Sequence, residues 1–111
     1  ITLPSHRACH PKKKHLSKAI NRGNTNLHYN YLGLAYFYNN IAEVYLNTNQ
    51  LDSARHYGLR SYQIKTAEGA VASIRDVANS ELNLGNIYFA LGNSDSAYYL
   101  VNTAAEKYKS L

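Results

Sequence analysis

At 111 residues, with 45% hydrophobic and 17% charged, the chain suffices for one small globular domain and is too short for two ordinary ones. No apolar run approaches the ~18 residues of a membrane span, and the N-terminus lacks the apolar core of a signal peptide, so the sequence reads as a soluble piece. A formal net charge of +5 gives a mild preference for acidic partners, but much of it comes from Lys12, Lys13 and Lys14, which makes it poor evidence for nucleic-acid binding.

The sequence starts at Ile1 and contains no Met, as expected of a piece excised from a longer protein. A single cysteine, Cys9, excludes an intramolecular disulfide and fits a reducing compartment, with the cytoplasm as the default.

Residues 1–10 show no hydrophobic period, and Pro4 opposes an early helix, so they are expected to form a flexible N-terminal arm. Pro11 suits the first turn of a short helix to about Ile20, with Leu16, Ala19 and Ile20 as its apolar stripe and Gly23 closing it. A second helix is expected from about Asn26 to Leu46, with Leu27, Tyr31, Leu34, Tyr38, Ile41, Ala42 and Tyr45 near one face. After a turn over 47–50, a third helix runs from Leu51 to about Thr66, burying Leu51, Ala54, Tyr57, Gly58, Ser61 and Tyr62, and Glu68-Gly69 breaks it. A fourth spans about Val71 to Leu91 and a fifth Ser94 to Ser110, the latter with Ala97, Leu100, Val101, Ala104, Ala105 and Tyr108 on its stripe. Nothing reads as strand.

Two stretches repeat one pattern. In LNLGNIYFALGNSDSA, residues 82–97, Gly92 can close a helix in the left-handed conformation and Asn93 can cap the next. NNIAEVYLNTNQLDSA, residues 39–54, places Asn40 on Asn83, Tyr45 on Tyr88 and Ala54 on Ala97 at a constant offset of 43 residues. An αα-hairpin at a fixed period predicts an all-α, antiparallel helix-hairpin solenoid of about five helices. Its parts are a partial repeat over 11–23 and repeats over about 27–68 and 70–111, so the helical repeat domain covers 11–111. Small residues at Ala42, Gly85, Ala54 and Ala97 would let paired helices approach closely.

These residues resemble the tetratricopeptide repeat over roughly residues 27–111. Its first helix carries an aromatic, then Leu-Gly, then Tyr, matched by Tyr38, Ile41-Ala42 and Tyr45 and by Leu84-Gly85 and Tyr88. Its second helix carries small, bulky and small residues, matched by Ala97, Val101 and Ala104 and in part by Ala54, Gly58 and Ser61. Glu81 stands where the first aromatic belongs, Gly58 stands where the bulky residue belongs, and no proline closes either repeat. The 43-residue period exceeds the usual ~34 and resembles the long-helix variants of kinesin light chains, Asn-rich scaffold proteins and bacterial peptide-sensing regulators.

The resemblance implies a concave groove lined by the first helices. Here that face selects Tyr36, Asn39, Asn40, Glu43 and Asn47, then Asn79, Leu82, Asn83, Asn86 and Phe89. A carboxamide both donates and accepts, so a row of them can bond the backbone of an extended peptide. Asn40, Glu43, Asn83 and Asn86 are therefore the expected peptide-binding residues, with a protein or extended peptide as partner and a larger regulatory protein as context. The competing reading is a structural or self-association element in which these asparagines only solvate a helix face. It draws on the uncapped last helix, whose Tyr98, Tyr99 and Leu100 suggest a homo-oligomer joined through an end of the stack.

No other chemistry converges. His6, Cys9, His10 and His15 are metal-ligand types at a spacing that matches no closed site, so no metal or other cofactor is expected. Arg7, Lys12–Lys14, Lys18 and Arg22 lack the aromatic interleaving of a nucleic-acid surface. Glu43, Asp76 and Glu81 stand isolated on helices without a glycine-rich phosphate loop, so no enzyme is expected.

Overall fold

The computed structural model describes residues 25–111, with side groups from residue 30 onward, and every regular element among them is an α-helix. The helices are α1 (Thr25–Asn47), α2 (Leu51–Lys65), α3 (Ile74–Ala90) and α4 (Ser94–Lys109). The described residues thus hold four helices rather than five. The arm over 1–10 and the helix expected over 11–20 lie outside the described residues. None of the four helices is long and apolar enough to cross a membrane.

Both hairpin turns close bond for bond alike. At the first, Asn49 takes a left-handed φ of 59°, its N–H donates to Leu46 C=O, and the Gln50 N–H reaches back to Tyr45 C=O at 2.8 Å. At the second, Gly92 has φ 83°, its N–H donates to Phe89 C=O, and the Asn93 N–H reaches Tyr88 C=O at 2.8 Å. This is the Schellman pattern, which satisfies the last carbonyls of a helix and turns the backbone sharply. Asn93 then caps α4 by accepting from the Ser96 N–H, whereas the Gln50 amide makes no capping bond to α2. Asparagine tolerates the left-handed region, so the first turn forms without a glycine.

α3 begins at Ile74, three residues later than expected, because Ser73 caps it. The Ser73 hydroxyl accepts from the Asp76 N–H at 3.1 Å, and the Asp76 carboxylate accepts from the Ser73 N–H at 2.9 Å. This reciprocal box satisfies two otherwise orphaned donors.

α1 packs against α2 and α3 against α4, while the two hairpins meet through α2 on α3 and α1 on α3. The main core joins Ala42, Ala54, Leu59, Leu84, Ile87, Tyr88, Ala97 and Leu100. A smaller cluster of Ala35, Ile64 and Ala67 lies under Tyr31, Leu34 and Tyr38. Leu100 is fully buried, so it adds nothing to the outer face of the last helix, and Ala105, expected on the buried stripe, is exposed.

Two of the departures from the expected repeat pattern, at Gly58 and Glu81, have a packing explanation. A Cβ at Gly58 would stand 3.0 Å from Leu84 Cδ2 and 3.1 Å from Ile87 Cδ1, so a bulky residue there would displace the incoming second hairpin. At Glu81, 3% exposed, an ion pair replaces the aromatic. The Lys107 ammonium lies 3.0 Å from each carboxylate oxygen, and the Tyr62 hydroxyl donates to the carboxylate at 3.3 Å. The equivalent Tyr38 instead packs on the Tyr57 ring at 5.7 Å with the Arg60 guanidinium 4.9 Å from its own centroid. Burial first, then the Glu81 charge and the hydrogen bond to it, push the Tyr62 hydroxyl up to about 12.

α3 and α4 approach closely at Gly85, since a Cβ there would fall 2.7 Å from Val101 Cγ2 and 3.4 Å from the Ala97 carbonyl oxygen. Valine in a helix holds one χ1 rotamer and cannot swing aside. Gly85→Leu is therefore expected to cost about 1–3 kcal/mol by overpacking. Gly33→Ala, exposed on α1 with nothing within 4 Å of the added carbon, should gain about 0.5–1 kcal/mol from helix propensity. Urea unfolding reads both, and a Gly85→Leu protein as stable as wild type would contradict the close approach.

Candidate functional site

α1 and α3 lie side by side and point the same way. Two hydrogen bonds joining them advance together along both helices. The Tyr36 hydroxyl donates to Asp76 at 2.7 Å, and further along the Asn83 amide donates to Asn39 Oδ1 at 2.9 Å. Between the helices runs a concavity of about 360 Å³ lined by Asn39, Glu43, Leu46 and Asn47 from α1 and Asn79, Leu82, Asn83 and Asn86 from α3. The spacing of three to four residues in each set places it on one stripe per helix.

The lining amides are oriented before any ligand arrives. Asn83, only 6% exposed, spends one N–H on Asn39, which leaves its own carbonyl oxygen and the Asn39 amino group unspent by that bond. The Tyr108 hydroxyl donates to the Asn79 carbonyl oxygen from α4, directing that amide too. Together they present donors and acceptors of the kind a peptide backbone requires.

A charged cluster ties the helices together beyond Asn39, towards the start of α3. The buried Lys65 of α2 donates to the Asp76 backbone carbonyl at 3.2 Å and sits 5.2 Å from the centroid of the Tyr36 ring. Burial lowers the Lys65 pKa, opposed by the Asp76 charge. Burial alone would raise the Asp76 carboxyl, but the Ser73 N–H, the Tyr36 hydroxyl, the Ser73 hydroxyl and the Lys65 charge outweigh it and hold the carboxyl below its ordinary value. The bond to Asp76, with burial and the same charge, pushes the Tyr36 hydroxyl up. Asp76 is thus neither isolated nor idle; the Ser73-x-x-Asp76 spacing is the sequence signal for its capping role.

Of the expected binding residues, Glu43, Asn83 and Asn86 gather in the concavity. Asn40 is exposed and outside the lining, and its neighbour Asn39 bonds Asn83 in its place. The contact between the two hairpins brings Asn39 of α1, not the repeat-equivalent Asn40, against Asn83 of α3. Leu46, absent from the face the resemblance implied, also lines the groove, while Tyr36 and Phe89 stay outside it. His6, Cys9, His10, His15 and the basic residues from Arg7 to Arg22 lie outside the described residues. Among the described residues no group of three His, Cys, Asp or Glu could hold a metal ion.

No family model matches this sequence, and no curated protein or solved structure is significantly similar to it. Its functional reading rests on the residues of the groove.

The Asn39–Asn83 bond makes Asn83 part of the fold as well as of the groove. Urea unfolding of Asn39→Ala, Asn83→Ala and the double variant should give a coupling energy of about 0.5–1.5 kcal/mol. Strict additivity would mean that the two amides do not hold α1 to α3.

Proposed function

We propose that this protein is a protein- or peptide-binding module built as a tetratricopeptide-type hairpin stack, serving within a larger regulatory protein. The stack reading draws on the identical turns, the 43-residue offset and the packing order in which α3 touches both helices of the preceding hairpin. The observation that carries the binding reading is the amide-lined concavity between α1 and α3, whose Asn39, Asn79 and Asn83 are oriented by bonds to one another or to α4.

An extended peptide lacks internal backbone hydrogen bonds, so each of its N–H and C=O groups seeks a partner when it leaves water. A row of preset amides meets that demand without requiring a particular peptide sequence, and the low ordering cost favours affinity. Leu46 and Leu82 add apolar contact among the amides.

The structural alternative draws on a different surface. Ile74, Tyr98 and Tyr99 are exposed near the outer side of α4, where Ile74 and Tyr99 border a second concavity of about 480 Å³. A single comparison separates the readings. A binder selected on a peptide array should lose about 0.5–1.5 kcal/mol of affinity for Asn86→Ala, whose exposed position leaves the fold intact. Equal affinity in wild type and Asn86→Ala, with loss on Tyr99→Ala instead, would move the site to α4 and favour the structural reading.

A further inference from the structure

We infer that the groove's occupant carries a cationic group seated at Glu43, an inference that rests on the groove being the binding site. Glu43 is the only ionisable residue among the eight that line it; the other seven are neutral amides and leucines. It is exposed and forms no ion pair within the described residues. Of the basic groups on the other helices, Lys65 bonds the Asp76 backbone and faces the Tyr36 ring, Arg55 pairs with Asp52, Arg60 lies over the Tyr38 ring, Lys107 pairs with Glu81 and Lys109 with Glu106, while Arg75 stands in the first turn of α3, outside the groove lining. Among the described residues, the carboxylate therefore borders the groove without an ion-pair partner.

This reverses the expectation from net charge. The overall balance of +5 favours acidic partners, yet the described residues that line the groove carry one negative charge and no positive one. A ligand carboxylate placed there would meet repulsion, and an ammonium or guanidinium would gain a charge-assisted hydrogen bond. From Asn39 to Asn47 the α1 wall is about 12 Å long, which an extended peptide spans with about four residues. The occupant is a short extended segment with one basic position, the charge coming from a Lys or Arg residue or from a free N-terminal amine.

Fluorescence polarisation with labelled hexapeptide pools tests this on the whole 111-residue protein. The pools are acetylated and amidated, with one central position fixed as Lys, Arg, Ala or Asp, and a fifth pool has Ala at that position with a free N-terminus. At low salt the wild type should prefer the Lys or Arg pool, or the free-amine pool, over the capped Ala pool by about fivefold, with the Asp pool weakest. Preference in the first two assigns the site to a basic residue, and preference in the fifth assigns it to an N-terminus. Glu43→Gln should erase the preference, so that the Lys, Arg, free-amine and capped Ala pools bind alike. A preference that persists in Glu43→Gln, or equal binding of all pools by the wild type, overturns the inference. If Asn86→Ala still weakens every pool in that second case, the groove survives as the site and only its charge selectivity fails. Absence of binding to any pool removes both.

Discussion

A single buried hydroxyl fixes how the two hairpins meet. Ser61 of α2 donates to the Ala35 carbonyl of α1 at 2.8 Å, and the Ser80 hydroxyl of α3 lies 3.2 Å away. Ser61 has one proton and spends it on the carbonyl, so Ser80 must donate to Ser61. Three helices are thereby referenced to one fully buried atom group. Apolar packing is non-directional and would tolerate one hairpin sliding on the other, whereas a buried hydroxyl that loses its partner pays the full cost of desolvation. Further hydrogen bonds between the hairpins follow the same logic: Tyr36 to Asp76, Asn39 to Asn83, Tyr62 to Glu81 and Lys65 to the Asp76 backbone.

The groove depends on that register. Its two walls belong to different hairpins, so a slip of one turn would separate Asn39 from Asn83 and remove the facing amide pair. Within each hairpin, by contrast, proximity comes from small residues and a short Schellman turn, as at Ala42 with Ala54 and at Gly85 with Ala97. Local sequence builds the hairpins, and a few distant polar contacts align them.

That division explains what is legible in the sequence. The turns are legible because Gly92 and Asn93 act on their own neighbours, and their counterparts Asn49 and Gln50 recur at the repeat offset. Helix existence and most boundaries follow from apolar spacing, while the start of α3 needs the Ser73-Asp76 box rather than the apolar residues before it. Repeat equivalence favours Asn40 over Asn39 because it is a symmetry of the sequence, whereas the contact of one hairpin with the next has no such symmetry. The burial of Glu81 is not legible either: a glutamate on a helix reads as exposed until Lys107, 26 residues away, and Tyr62, 19 residues away, are seen to neutralise and bond it. Lys65 is a similar case, a buried lysine whose acceptor is a backbone carbonyl in the next helix.

The central claim is that the amides between α1 and α3 form the binding surface. The carboxamide NH₂ resonances of Asn39, Asn79, Asn83 and Asn86, followed by ¹⁵N–¹H NMR during titration with the Lys-fixed hexapeptide pool, test it most directly. The account predicts shifts concentrated on these four amides and on the backbone around Glu43. Shifts concentrated instead on Tyr98, Tyr99 and the rest of the α4 outer face, with the four amides unmoved, would contradict it.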